Sequence, residues 1–174
     1  DACDTEADNI AIGFEAMTTD NAGGEKNVVI GTYAGDAITS GDGNVLVGHI
    51  AGGAITSGTD NCAFGQNSMT NITTGNNNTA FGRRSLYLNQ STNENCAMGH
   101  ESLYACVGAY NTALGFQAGS GVTSGVKNTL MGNLAGNSVT TGGNNTVIGY
   151  NADASAVDVS NEITFGDGSV NALR

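Results

Sequence analysis

Few side chains in this chain stand where they could do chemistry together. The two histidines, His49 and His100, occupy the same place in an internal repeat, three units apart. At ~4.8 Å per stacked unit that is about 14 Å, too far to share a metal ion. No H-x-H, HExxH or zinc-type spacing occurs. A Ser-His-Asp site needs a concave pocket, and a regular repeat leaves little concave volume. The expectation is therefore no catalysis, no metal and no cofactor.

The cysteines are Cys3, Cys62, Cys96 and Cys106. Cys62 and Cys96 share a repeat position two units apart, ~9.6 Å, beyond disulfide reach. Cys96 and Cys106 fall in one unit; two readings are open, a meeting inside the coil or buried free thiols that suit assembly in a reducing compartment. Acidic glycine corners, Asp42-Gly43 and Asp167-Gly168, bear a faint likeness to calcium-binding β-roll turns. Those need Asp at one place in successive units, and here that place holds Asp42, Thr59, Asn76, Asn93 and Val126, so ordinary turns are expected.

One segment, Arg83 to Tyr110, carries the candidate binding residues. R-R-S-L-Y-L-N-Q and H-E-S-L-Y-A-C-V place Tyr87 and Tyr104 at one position of adjacent units, beside Arg83, Arg84 and His100. Two tyrosines ~4.8 Å apart form either a flat platform for stacking on a cell-surface sugar, or a packed pair with Leu86 and Leu103. A column of threonines, Thr39, Thr56, Thr73, Thr123 and Thr140, opens an ice-binding reading, weakened because the column breaks between Asn78 and Tyr110.

What must position these groups is a repeat. One glycine recurs at Gly13, Gly31, Gly48, Gly65, Gly82, Gly99, Gly115, Gly132, Gly149 and Gly166, in steps of 18, 17, 17, 17, 17, 16, 17, 17 and 17 residues. With that glycine at position 5, position 1 is Asn9, Asn27, Asn44, Asn61, Asn78, Asn95, Asn111, Asn128 and Asn145, then Glu162. Position 4 is always large and apolar, from Ile12 and Ile30 to Ile148 and Phe165. Position 8 is Ala or Ser, and most units add I/V-T-S/T-G.

Seventeen residues are too few for a helical hairpin, whose repeats run to about 33, and suit one coil of a β-solenoid: two short strands, each with a turn. The fold class expected is all-β, a parallel β-solenoid or β-roll of about ten 17-residue coils. Asn27, Asn44, Asn61 and Asn78 stack as a hydrogen-bonding ladder, and Gly31, Gly48, Gly65 and Gly82 turn the corner where positive φ or close backbone approach is needed. Position 4, with positions 2 and 12, is expected to fill the coil. Position 3, from Ala11 and Val29 to Val147, then faces outward, because side chains alternate along a strand. An outward apolar column needs a cover, and neighbouring copies around a three-fold axis are one; the other reading is that a thin coil tolerates small apolar residues outside.

Composition agrees with a rod. The chain has 174 residues, with 27 Gly, no Pro, no Trp and 12% charged residues. The net charge of −11, with five basic residues, disfavours nucleic acid and anionic membrane as partners. No apolar run has spanning length, nothing at the start resembles a signal peptide, and a start at Asp1 is expected of a fragment or processed product. The organisation expected is a lead-in over 1–8, repeats over 9–160, and a last coil with connector over 161–174.

The units N-T-A-L-G-F-Q-A (Asn111 to Ala118) and N-V-V-I-G-T-Y-A (Asn27 to Ala34) resemble the head repeats of trimeric autotransporter adhesins, and more closely the repeats of phage tail fibres. The last residues, N-E-I-T-F-G-D-G-S-V-N-A-L-R from Asn161 to Arg174, are similar to the segment preceding the self-cleaving intramolecular chaperone of endosialidase-type tail fibres. The resemblance implies a homotrimeric viral tail fibre, extracellular on the virion, that joins other tail-fibre proteins and attaches to a host glycan or protein receptor. The residues of the chaperone are not in this sequence, so no protease activity follows. A self-assembling extracellular filament is the further alternative.

Overall fold

The computed structural model describes residues 8–19 and 23–169. Cys3 and the Val170–Arg174 part of the terminal motif lie outside the described residues. The fold is an all-β solenoid: ten strands form one parallel sheet whose spatial order is the chain order. They are β1 Ile10–Ile12, β2 Val28–Ile30, β3 Val45–Val47, β4 Cys62–Phe64, β5 Thr79–Phe81, β6 Cys96–Met98, β7 Thr112–Leu114, β8 Thr129–Met131, β9 Thr146–Ile148 and β10 Ile163–Phe165. Position 2 pairs with position 2, 3 with 3 and 4 with 4 through every rung.

Each coil contains one strand, not the two expected. The far wall runs through left-handed residues at positions 7 and 9, such as Asn67 (φ 59°) and Met69 (φ 50°), which end any extended run. That wall still bonds coil to coil, as in Thr39 N–H to the Thr56 carbonyl at 3.0 Å.

The asparagine column closes the coils and joins them. In coil 4 the Asn61 amide donates to Asn44 Oδ1 (3.1 Å) and to the carbonyl of Gly75 (2.7 Å), at the far corner of its own coil. Its Oδ1 accepts from the backbone and side-chain nitrogens of Asn78 at 3.0 and 3.1 Å. The buried side chain thus has both donors and its acceptor engaged. At position 5 the glycines are required twice over. Gly65 sits at φ 132°, and a Cβ there would lie 2.7 Å from the carbonyl of Gly82.

The strand faces are the reverse of the expectation. Position 3 points into the coil: Val29, Leu46, Ala63, Ala80, Ala97, Leu130 and Val147 are fully buried. Position 4 points outward, with Phe81 37% and Leu114 43% exposed, and position 2 shares that face. The small residues of position 8 also lie inside the coil.

The physical reason lies in the width of the coil. Position 3 faces position 9 across a core one side chain deep. A Cβ on Gly52 would meet Leu46 at 2.7 Å. Where position 9 is large (Met69, Leu86, Leu103), position 3 is alanine (Ala63, Ala80, Ala97) and position 8 is serine. Where position 9 is glycine (Gly35, Gly52, Gly136), position 3 is Val29, Leu46 or Leu130. Coil 7 pairs Ala113 with Gly119, and Leu103 and Leu130 from the coils on either side reach into the space. Isoleucines and valines of position 12, Ile38, Ile55, Ile72, Val122 and Val139, close the third side.

Two predictions follow from these columns. Asn61→Ala orphans several buried partners at about 1–3 kcal/mol each. Asn61→Asp is expected to be worse at pH 7, since a buried carboxylate then faces the Gly75 and Asn44 oxygens. Its raised pKa makes the deficit shrink as pH falls from neutrality through that raised value, with recovery complete by roughly 4, read as urea midpoints by circular dichroism. For the facing walls, Leu46→Ala alone is expected to cost about 2–5 kcal/mol and Gly52→Leu alone to overpack. Combined, they should cost less than the sum by about 1–3 kcal/mol; strict additivity would refute the compensation.

Candidate functional site

The irregular segment sits on coils 5 and 6, and its geometry follows from their cores. Leu86 and Leu103 at position 9 are fully buried and left-handed (φ 48° each), which anchors the tyrosines that follow them. Backbone bonds from Leu86 to Ser102 (3.1 Å) and from Leu88 to Tyr104 (3.0 Å) hold the two coils in register. The Tyr87 and Tyr104 rings then lie 5.2 Å apart and 10° from parallel.

That spacing puts the rings upon one another, their faces turned along the rod. They do not lie side by side as the flat two-ring platform expected for sugar stacking. The Arg84 guanidinium stands 5.9 Å from the Tyr87 ring centre and 3.5 Å from the Glu101 carboxylate. The row continues along position 7, where Gln117 donates to Glu101 at 2.9 Å. This bond, with help from His100 and Arg84, holds the Glu101 carboxyl below its ordinary pKa.

Arg83 and His100 belong to a different row. At position 6, Arg83 Nη1 lies 3.1 Å from His100 Nε2, and the imidazole stacks on Phe116 at 5.4 Å. The five residues expected to form one patch are therefore two neighbouring rows. One is Arg84, Tyr87 and Tyr104; the other is Arg83 and His100. Glu101, Gln117 and Phe116 join them unforeseen. Their signal was present in the repeat, since they stand at positions 6 and 7 of consecutive coils, next to residues already singled out.

The same segment carries the 16-residue step, and its core shows how the missing residue is absorbed. In other coils the position-1 amide closes onto a carbonyl of the far corner. In coil 6 the Cys106 thiol donates to that corner's carbonyl, Gly108, at 3.3 Å, and Asn95 turns to the Thr92 hydroxyl at 3.1 Å. Burial pushes the Cys106 thiol up to about 11, so it remains protonated and able to donate. Cys96 faces outward at position 2 while Cys106 faces inward, so the two do not meet, and Cys62, Cys96 and Cys106 are free thiols.

The threonine column is bonded to the rod itself. Thr39, Thr56, Thr123 and Thr140 each donate their hydroxyl to a carbonyl of the next coil at 3.1–3.2 Å. Those hydrogens are committed to the stack, which leaves the column less to offer an ice lattice.

The fold and its surface define a β-solenoid with outward rows of aromatic, polar and apolar residues. No family model, no curated protein and no solved structure matches the chain.

The Glu101 carboxyl supplies a pH test. With its folded pKa lowered, its contribution is full at neutral pH and is lost as pH falls through the lowered value. Gln117→Leu should raise the Glu101 pKa toward the ordinary carboxylate range in an NMR titration. An unmoved pKa would show that this hydrogen bond is not the main cause.

Proposed function

We propose that the chain is a structural and adhesive segment of a viral tail fibre, assembled as a homotrimeric rod that carries and orients a host-attachment region. The observation that carries this reading is the continuity of the stack. Ten in-register strands share one sheet, and the asparagine bonds run from coil to coil along it. Such a stack resists bending because each rung is bonded to both neighbours on two walls, and ten rungs span about 48 Å. The role is mechanical: spacing and orientation. The sequence resemblance to tail-fibre repeats and to the segment preceding a fibre chaperone supplies the biological setting. The rows Arg84–Tyr87–Tyr104 and Arg83–His100 are the part of this segment proposed to touch a surface glycan or protein receptor, repeated on three copies for avidity.

Light scattering on the purified protein is expected to give a mass of three copies, and an antibody to the segment is expected to decorate tail fibres of virions. Labelling confined to cell-surface filaments would replace the viral reading with a secreted one. Soluble protein should also compete with virions for host cells. Tyr87→Ala with Tyr104→Ala should weaken that competition about tenfold, equivalent to ~1.4 kcal/mol. Unchanged competition would remove the tyrosine row from the receptor site.

A further inference from the structure

The outward face of the sheet is a surface without charge on a strongly acidic chain. Over ten rungs position 2 holds only Ile, Val, Cys or Thr, and position 4 only Ile, Val, Phe, Met or Leu. Ile12, Ile30, Phe81, Met98, Leu114, Met131 and Phe165 are each 36–59% exposed there. Isolated exposed apolar residues are ordinary, but an unbroken ten-rung stripe marks an interface. Its planar footprint is about 48 Å by about 13 Å, roughly 600 Å², close to the ~800 Å² each partner gives to a stable interface.

We infer that this face is where copies of the chain associate, in parallel and in register, around an axis along the rod. Two features select a second copy as occupant. First, the stripe repeats every rung, and a partner stays matched over ten rungs only if it has the same axial spacing, which an identical rod has. Second, the two margins of the stripe present an exposed aromatic side chain each on the same rung. One margin, at position 17, carries Lys26, Asp60, Glu94, Tyr110 and Lys127; the other, at positions 6 and 7, carries Glu15, Arg83, Arg84, His100, Glu101 and Phe116. Any rotation axis parallel to the rod sets the first margin of one copy against the second margin of the next. Half-exposed Tyr110 then meets half-exposed Phe116 on rung 7, while Asp60 and Glu94 lie one rung from Arg83 and Arg84, with Glu94 level with both His100 and Glu101. An antiparallel pair would instead oppose like margins and part Tyr110 from Phe116. Cys62 and Cys96, at position 2, lie inside the buried stripe.

The inference rests on the reading of the chain as an assembled rod and specifies its contact face. The test uses the intact protein and three measurements. Phe81→Glu, which puts a charge at the centre of the stripe, should reduce the mass to about a third, whereas Ser124→Glu, exposed at position 14, should leave it unchanged. In the unaltered protein, maleimide labelling of Cys62 and Cys96 should run at least about tenfold slower than in the Phe81→Glu variant. Should that variant fail to fold, the urea-unfolded chain serves as the reference. With Cys3, Cys62 and Cys96 first replaced by Ser, Tyr110→Cys combined with Phe116→Cys should form disulfide-linked copies under mild oxidation, and neither substitution alone should. A three-copy mass with freely reactive Cys62 and Cys96 overturns this face and leaves the assembled rod standing. Self-crosslinking of either single variant overturns the parallel arrangement. A monomer overturns both readings.

Discussion

The buried asparagine column is the constraint on which the other parts of this rod depend. A coil of seventeen residues is too small to hold itself shut by apolar packing, because its core is only one side chain deep. The position-1 side chain solves two problems with one amide. It ties the two ends of its own coil together, as Asn44 does through Gly58 at 2.8 Å, and it hands its oxygen to the next coil. Each coil is closed by a group that also bonds the next, so rung stability is largely a neighbour property. The series ends at Glu162, whose backbone still donates to Asn145 at 2.9 Å. Its carboxylate turns back onto Ser155 and Thr164, bonds that lower its pKa, and so does not extend the column.

That closure is also what sustains an unusual backbone. Left-handed φ recurs at positions 7, 9 and 17 of nearly every coil, and bulky or β-branched residues adopt it, Ile50 at 57° and Leu134 at 58° among them. Such residues cost about 1–2 kcal/mol each relative to the right-handed region. They persist because the coil-to-coil bonds on either side leave the chain no other path, as at Ile50, whose N–H reaches the Thr32 carbonyl at 3.0 Å. A corner column set by stacking tolerates almost any residue type. That is why positions 6, 7 and 17 vary freely in sequence and are available for recognition.

Period, strand location and the two special columns were legible in the sequence because each is a single-residue requirement repeated in nine or all ten units. Asn at position 1 and Gly at position 5 have no adequate substitutes, so they recur. The polarity of the strand was not legible from hydrophobicity alone. Both position 3 and position 4 are apolar, and the smaller residues at position 3 suggested the outside. They are small because Met69, Leu86 and Leu103 stand opposite them. The signal was the exchange of bulk between positions 3 and 9, a correlation between columns and invisible in either one alone. The tyrosine row was legible as a row, but ring orientation depends on the torsions about Cα and Cβ, which the spacing of residues does not set. Hence the stack at 5.2 Å where a platform was expected.

Correcting the strand polarity strengthens the case for self-association. With position 3 outside, half of the uncovered face would have been alanine, which a thin coil can leave in water at little cost. With positions 2 and 4 outside, the uncovered face has a large apolar side chain at position 4 of every rung, flanked by uncharged Ile, Val, Cys or Thr at position 2. At roughly 25 cal/mol per Å², covering even half of an ~600 Å² stripe is worth about 7 kcal/mol per copy before the entropy of association. No charge interrupts the stripe, whereas the chain elsewhere carries a net charge of −11. Selection for solubility alone would have scattered charge over the outer sheet face and the corners alike. Its confinement to the margins and the far wall accords with the proposed contact between copies of the rod.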